Sequence, residues 1–296
     1  MSTIDASPSN NSRGSEAWSR SWTHFSIDRR SPGYCRVTFD HPPNNTITAT
    51  TVAELAELVG LIEEDADLNV VVFDSANPDF YLAHYDTEHD PGRTAALPAG
   101  PTGMHAWLDL LVRLSRAPVV SIASIRGRAR GAGSEFVLAC DLRFASRQNT
   151  LLGQFEVGTG VVPGGGPMAR LGRLVGRGRA LEILLLADDF DGPRAEQYGY
   201  VNRVITDDQL DDEVDRIASR LARFDHDAIA RTKSYVDQVT LPADSEFPPA
   251  LADFFEMFGR PGQQARSARL EALGLNVDSD LERSLGRRVV EALPDA

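Results

Sequence analysis

Residues Pro118–Ser146 read PVVSIASIRGRARGAGSEFVLACDLRFAS. An apolar strand pattern runs into three arginines spaced by two, tightens to Gly131, Ala132 and Gly133, and then opens an apolar helix pattern at Glu135. LRFAS follows as another short strand pattern. Strand, glycine turn, helix and strand in so little chain point to an α/β arrangement, and Gly131 and Gly133 let the backbone come close to a ligand.

The same alternation extends upstream. GYCRVTF (Gly33–Phe39) sets Cys35, Val37 and Phe39 on one strand face, and DHPPNN breaks it. Val52, Leu55, Val59 and Ile62 recur at helical spacing, predicting a helix near Thr51–Glu64. NVVVFDS (Asn69–Ser75) is a buried-strand pattern. The turn formers between Ala76 and Thr102 predict a long loop with little regular structure. A helix over about Met104–Arg116 carries Trp107, Leu108, Leu111 and Leu114 as its stripe. Downstream, TLLGQ is a second short strand candidate, and VVPGGGP (Val161–Pro167) is a turn-rich break. Helices are predicted near Met168–Val175, Arg179–Leu186 and Arg194–Tyr198, then over Gln209–Phe224, Asp227–Val239 and beyond Pro248. No internal repeat of fixed period is visible. The pattern is an α/β core followed by a helical C-terminal region.

The chain of 296 residues is long enough for one large domain or two smaller ones. Its net charge of −13 argues against general nucleic-acid binding, while a local basic patch remains compatible with an anionic small ligand. Two cysteines, Cys35 and Cys140, suggest no disulfide framework, and a cytosolic location is expected. No run approaches the ~18 apolar residues of a membrane helix. The N-terminal MSTIDASPSNNSRGSEAWSR lacks the apolar stretch of a secretory signal and reads as a flexible tail over residues 1–20.

Several chemistries fail on spacing. Glycines 127, 131 and 133 do not follow the G-x-G-x-x-G order, and no P-loop lysine follows them. Ser134 lacks the G-x-S-x-G elbow. HYDTEHD (His84–Asp90) lacks the i, i+4 histidine pair of a zinc protease and reads as a polar loop, so no metal site is expected. Carboxylates remain. Taken alone, Glu135 reads as a helix-start charge favoured by the helix dipole, and Glu156, in LLGQFEVGTGVVPGGG, as an exposed acid. As a pair they read differently. Both are flanked by apolar residues, which raise a carboxyl pKa by desolvation and suit it to general acid–base work. A helix opening beside Glu135 also directs unpaired amides at a carbonyl gaining negative charge.

Two blocks carry a family resemblance: PVVSIASIRGRARGAGSEFVLACDLRFAS, and LLGQFEVGTGVVPGGGPMARLGRLVGRGRALEILLLADDFDGPRAEQYGYVNRVI. Together they resemble the crotonase (enoyl-CoA hydratase/isomerase) superfamily over about Ser21–Val239. The resemblance implies an α/β fold: a crotonase-like spiral of repeated ββα units with a helical C-terminal region. The expected division is a tail over residues 1–20, a core over 21–225, and a helical region over 226–296 that covers the site or builds an interface. It further implies a homotrimer or dimer of trimers and an acyl-CoA thioester substrate. Coenzyme A then enters as part of the substrate, with no separate cofactor, nucleic acid or membrane partner. Glu135 and Glu156 match the two acids of the hydratases. Ala132 matches the second oxyanion amide, and YLAHYDT places the first on Tyr85, or on His84 after a one-residue shift. Ala83, His84, Asp86, Gly131 and Gly133 are expected around the substrate. Arg126, Arg128 and Arg130 read either as a solvated edge or as phosphate contacts for coenzyme A, the latter chiefly through Arg128 and Arg130. Lys233 resembles a lysine that reaches the same phosphates from a neighbouring subunit. Hydration is the main expectation. A double-bond isomerase, a thioester hydrolase, a C–C bond-forming enzyme and a catalytically silent CoA-ester binder are the alternatives.

Overall fold

Parallel pairing decides the architecture. The computed structural model describes residue 18, residues 20–86 and residues 91–293. Apart from Trp18 and Arg20, the expected tail lies outside these residues. The strands are β1 (Phe25–Ser31), β2 (Tyr34–Phe39), β3 (Val70–Ser75), β4 (Phe80–Leu82), β5 (Val120–Ile125), β6 (Arg128–Arg130), β7 (Leu142–Ser146), β8 (Leu151–Gly153), β9 (Phe190–Asp191) and β10 (Arg203–Ile205). One sheet has the order β1-β2-β3-β5-β7-β10, and a smaller one has β4-β6-β8-β9. Within the large sheet β2, β3, β5, β7 and β10 pair in parallel, and in the small sheet β4, β6 and β8 do so.

The helices are α1 (Ala49–Glu64), α2 (Pro91–Ala95), α3 (Ala106–Arg116), α4 (Ala132–Ala139), α5 (Glu156–Thr159), α6 (Pro167–Val175), α7 (Arg177–Leu186) and α8 (Gly192–Tyr198). They continue as α9 (Leu210–Leu221), α10 (His226–Thr240), α11 (Pro248–Met257), α12 (Pro261–Ala272), α13 (Asp280–Arg283) and α14 (Leu285–Arg288). Three successive units repeat one plan. β3, β5 and β7 each enter the large sheet, then β4, β6 and β8 each enter the small one, and a helix follows. This is the expected ββα spiral.

The large sheet is covered on both faces, which explains the unbroken apolar run of β3. On one face Phe39, Phe73 and Phe136 meet with ring centroids 5.1–6.2 Å apart. On the other, Val70, Val72, Ile122 and Phe144 pack against Leu210, Val214 and Ala218 of α9. α1 begins two residues before the expected Thr51, because Thr48 and Thr51 form a capping box.

Three expectations are corrected. β1 was not anticipated; its outward residues are charged or polar, which masks the alternation. The supposed loop from Ala76 to Thr102 contains β4 and α2. The arginine run is not an edge: β6 lies between β4 and β8.

The last third of the chain folds back on the core at two places. Phe247 packs with Met104, Leu108 and Val112. Leu270, Leu281, Leu285 and Val289 pack with Ala187 and Phe155.

Candidate active site

Glycine at the turn between β6 and α4 makes the site possible. Gly131 sits at φ 50°, which a side chain disfavours. A Cβ on Gly133 would lie 2.0 Å from the Leu82 carbonyl oxygen, so α4 begins directly against β4. This places Glu135, only 3% exposed, in the first turn of α4. Its Oε2 accepts the Trp107 indole N–H at 2.8 Å, and its Oε1 accepts the Gly165 amide at 2.7 Å. Gly165 comes from the VVPGGGP break, and a Cβ there would meet Glu135 Oε2 at 1.9 Å. Burial pushes the Glu135 carboxyl above its ordinary value. The two donated hydrogen bonds and the buried Arg170 guanidinium pull part of the way back.

Glu156 opens α5 and is also buried. Burial first, and then the Glu135 charge, drive its carboxyl well above the ordinary range. Turned with its nitrogen towards Glu156, the Gln154 amide donates to both carboxylate oxygens at 3.1 Å and accepts from Ser134 Oγ at 3.1 Å. The two acids therefore share one cavity in unlike surroundings. Glu135 receives donors already aimed at its charge, and Glu156 lacks a cation beside it.

The two residues expected to supply oxyanion amides, Tyr85 and Ala132, line the same cavity. Ala132 is the first residue of α4, where an N–H has no acceptor within its own helix. Opposite, the Ile47 amide donates to the His84 carbonyl and the Asp86 amide to the Ile47 carbonyl, both at 2.8 Å. In such extended backbone, alternate N–H groups point to opposite sides, so the Tyr85 N–H faces away from Ile47. The cavity, of about 250 Å³, is lined by His84, Tyr85, Gly131, Ala132, Glu135 and Glu156. Trp107, Phe155 and, from α11 and the residue after it, Phe254, Phe255 and Phe258 supply an aromatic wall.

Six of the expected residues thus line one cavity. Ala83, Asp86, Gly133, Arg128, Arg130 and Lys233 do not. Ala83 is buried, and its carbonyl accepts the Arg130 amide at 3.1 Å. Within this chain each of the expected cations already has protein partners. Arg130 is 1% exposed, paired with Asp189 at 2.6 Å, and cannot reach a ligand in solvent. Arg128 donates to the Arg283 and Asp79 carbonyls, and Arg126 pairs with Asp207 and Asp211. Lys233 donates to Asp141 at 2.8 Å and to the Val119 carbonyl at 3.2 Å.

Sequence reasoning missed Trp107, Gly165, and the aromatic residues of the last third. Trp107 belongs to the core stripe of α3 and gives no second signal. For Gly165 the triple glycine was visible, but the neighbour it admits was not. Among the described residues, no cluster of three or more His, Cys, Asp or Glu residues could hold a metal ion, and no helix is long and apolar enough to cross a membrane. Thr87–Asp90 of the HYDTEHD stretch lie outside the described residues.

Residues 29–267 match the family model described as enoyl-CoA hydratase/isomerase. The chain belongs to the enoyl-CoA hydratase/isomerase family. It is 30% identical over 226 residues to the short-chain-enoyl-CoA hydratase of Clostridium acetobutylicum, covering 75% of this chain and 84% of that protein. It is also 30% identical to the crotonyl-CoA hydratase of Syntrophomonas wolfei, over 66% of this chain and 74% of that protein. Among solved structures, a Streptomyces avermitilis protein provisionally named an enoyl-CoA hydratase superposes with a TM-score of 0.88 at 40% identity. That match covers 94% of this chain and 99% of the other. Family members of this kind are enzymes, and the buried acid pair gives this one the means to act as one.

Proposed function

We propose that this enzyme is a lyase of the enoyl-CoA hydratase type, adding water across the 2,3 double bond of an enoyl-CoA thioester. The observation that carries this reading is the acid pair: two buried glutamates that line one cavity in unlike surroundings. Glu135, bonded by Trp107 and Gly165, serves as the carboxylate that accepts a proton from water as its oxygen attacks C3. Glu156, pushed well above the ordinary range by burial and by Glu135, serves as the acid that protonates C2. The Tyr85 and Ala132 amides stabilise the thioester oxygen as the enolate forms between those events. Proton exchange with solvent resets the pair. The route uses the chain's own groups, with coenzyme A as the handle of the substrate.

The names of the relatives at 30% identity support hydration over other family chemistry. A double-bond isomerase needs only Glu156, and the donors committed to Glu135 favour hydration over it. The deciding experiment follows loss of the conjugated thioester absorbance with enoyl-CoA substrates of several chain lengths. Incorporation of heavy oxygen from labelled water into the product confirms hydration. Bond migration without label would identify an isomerase, and tight binding without turnover a silent CoA-ester binder.

A further inference from the structure

The oxyanion site has two arms that come from different strands, and one residue far along the chain touches both. His84, next to Tyr85, is buried, and its Nε2 meets Glu282 Oε1 at 2.5 Å. Its Nδ1 lies 3.0 Å from the Tyr85 carbonyl. On the other arm, Arg130 immediately precedes Gly131 and Ala132, and its Nη1 donates to the Glu282 carbonyl at 2.7 Å. Glu282 is 0% exposed, and its Oε1 also accepts the Asn276 amide at 3.0 Å.

Resting on the hydratase reading, we infer that Glu282 is a positioning residue that brackets the two arms of the oxyanion site. Its carboxylate fixes the His84–Tyr85 arm, and its backbone carbonyl fixes the Arg130–Ala132 arm. The pair is closed in on every side. His84 faces Glu282, the Tyr85 carbonyl and the Phe155 ring, whose centroid is 5.5 Å away. Glu282 faces His84, Arg130 and the Asn276 amide, and Ser279 Oγ accepts its own amide at 3.1 Å. Arg130 is pinned in turn by Asp189, and both Arg128 and Arg130 donate to the Arg283 carbonyl. Burying an ion pair gains little stability over apolar packing. What this pair adds is geometry, because an amide displaced by a fraction of an ångström loses its grip on a developing oxyanion. Glu282 lies in the region that the sequence places outside the common family core. Glu282 Oε2 finds no partner in its buried setting. Glu282 is thus tied to both arms through Oε1 and its backbone carbonyl.

The test uses the full-length protein with Glu282→Gln and Glu282→Asp. Gln keeps the shape and removes the charge; Asp keeps the charge and withdraws it by one methylene, preserving a folded variant if Gln is not tolerated. The probe is 2,4-hexadienoyl-CoA, whose absorption shifts to the red when its thioester carbonyl is polarised. Both variants should bind the probe within about threefold of the native affinity, lose at least half of the red shift, and lower kcat about tenfold or more with KM little changed. An undiminished red shift and kcat, with only a lower melting temperature, would overturn the bracket and leave a plain anchor. A native protein that neither binds nor hydrates enoyl-CoA esters would overturn the hydratase reading, and the bracket with it.

Discussion

Glu135 and Glu156 carry one functional group into two environments, and the environment sets the task. Glu135→Gln and Glu156→Gln should each lower kcat by about a hundredfold or more while KM changes by only a few-fold, since each removes a proton transfer in the transition state. Steady-state kinetics with an enoyl-CoA substrate checks this. The pH profile has a definite sign. The proposed mechanism needs Glu135 ionised and Glu156 protonated, so kcat/KM should fall at low pH as Glu135 takes up a proton. It should fall again at high pH as Glu156 gives its own up. Trp107→Phe deletes a donor that favours ionised Glu135. The acidic limb of the profile should then move to higher pH, whereas an unmoved limb would deny Trp107 that role. Both acids were legible in the sequence because each stands beside glycines and apolar residues. Trp107 was not, since one indole serves the core with its ring and the site with its N–H, and periodicity reports only the ring.

At the scale of elements, close approach matters more than propensity. A methyl group on Gly133 would enter the Leu82 carbonyl, and neither backbone can yield without parting α4 from β4. Gly133→Ala should therefore cost about 2–4 kcal/mol of stability, read from denaturant unfolding, and reduce turnover in the fraction that remains folded. The long elements of the chain were readable: α1, α3, β3 and β5 fall where their apolar patterns put them. Strands of three residues were harder. β4 and β6 are too short for alternation to show, and β6 consists of two arginines around Ala129. Arginine reads as surface in a sequence. Here Arg130 is buried because Asp189 and two C-terminal carbonyls await it, and those partners lie more than fifty residues away.

For the whole molecule, the covering segment and the outer helices carry the remaining predictions. Burial acts to lower His84, yet Glu282 and the Tyr85 carbonyl outweigh it and hold the imidazole above its usual 6.5. Burial acts to raise Glu282, and His84 outweighs it, so this carboxyl lies below its usual 4.5. The histidine's contribution to stability is full below pH 6.5 and lost as pH rises through the raised value. The glutamate's is full above pH 4.5 and lost as pH falls through the lowered one. The melting-temperature gap between the native protein and the double variant His84→Gln/Glu282→Gln should accordingly be widest between pH 4.5 and 6.5. Outside the core, α10 exposes Tyr235, Val236 and Val239, and α7 exposes Leu185 and Leu186. We propose that these faces meet further copies of the chain in the homotrimer or dimer of trimers that the family resemblance implies. Sedimentation should give a multiple of the 32.3 kDa chain mass, and Val239→Glu should shift the distribution towards the monomer.

The route of the chain also sets a schedule. Both glutamates and the glycine turn are synthesised in the first half or just past it, while Phe254, Phe255, Phe258 and Glu282 come near the finish. A chain grown only as far as its last strand therefore lacks the α11 residues that line the cavity around its acids. A cut within residues 273–280 would separate Glu282, with its bonds to His84 and Arg130, from the stretch of chain that carries the acid pair.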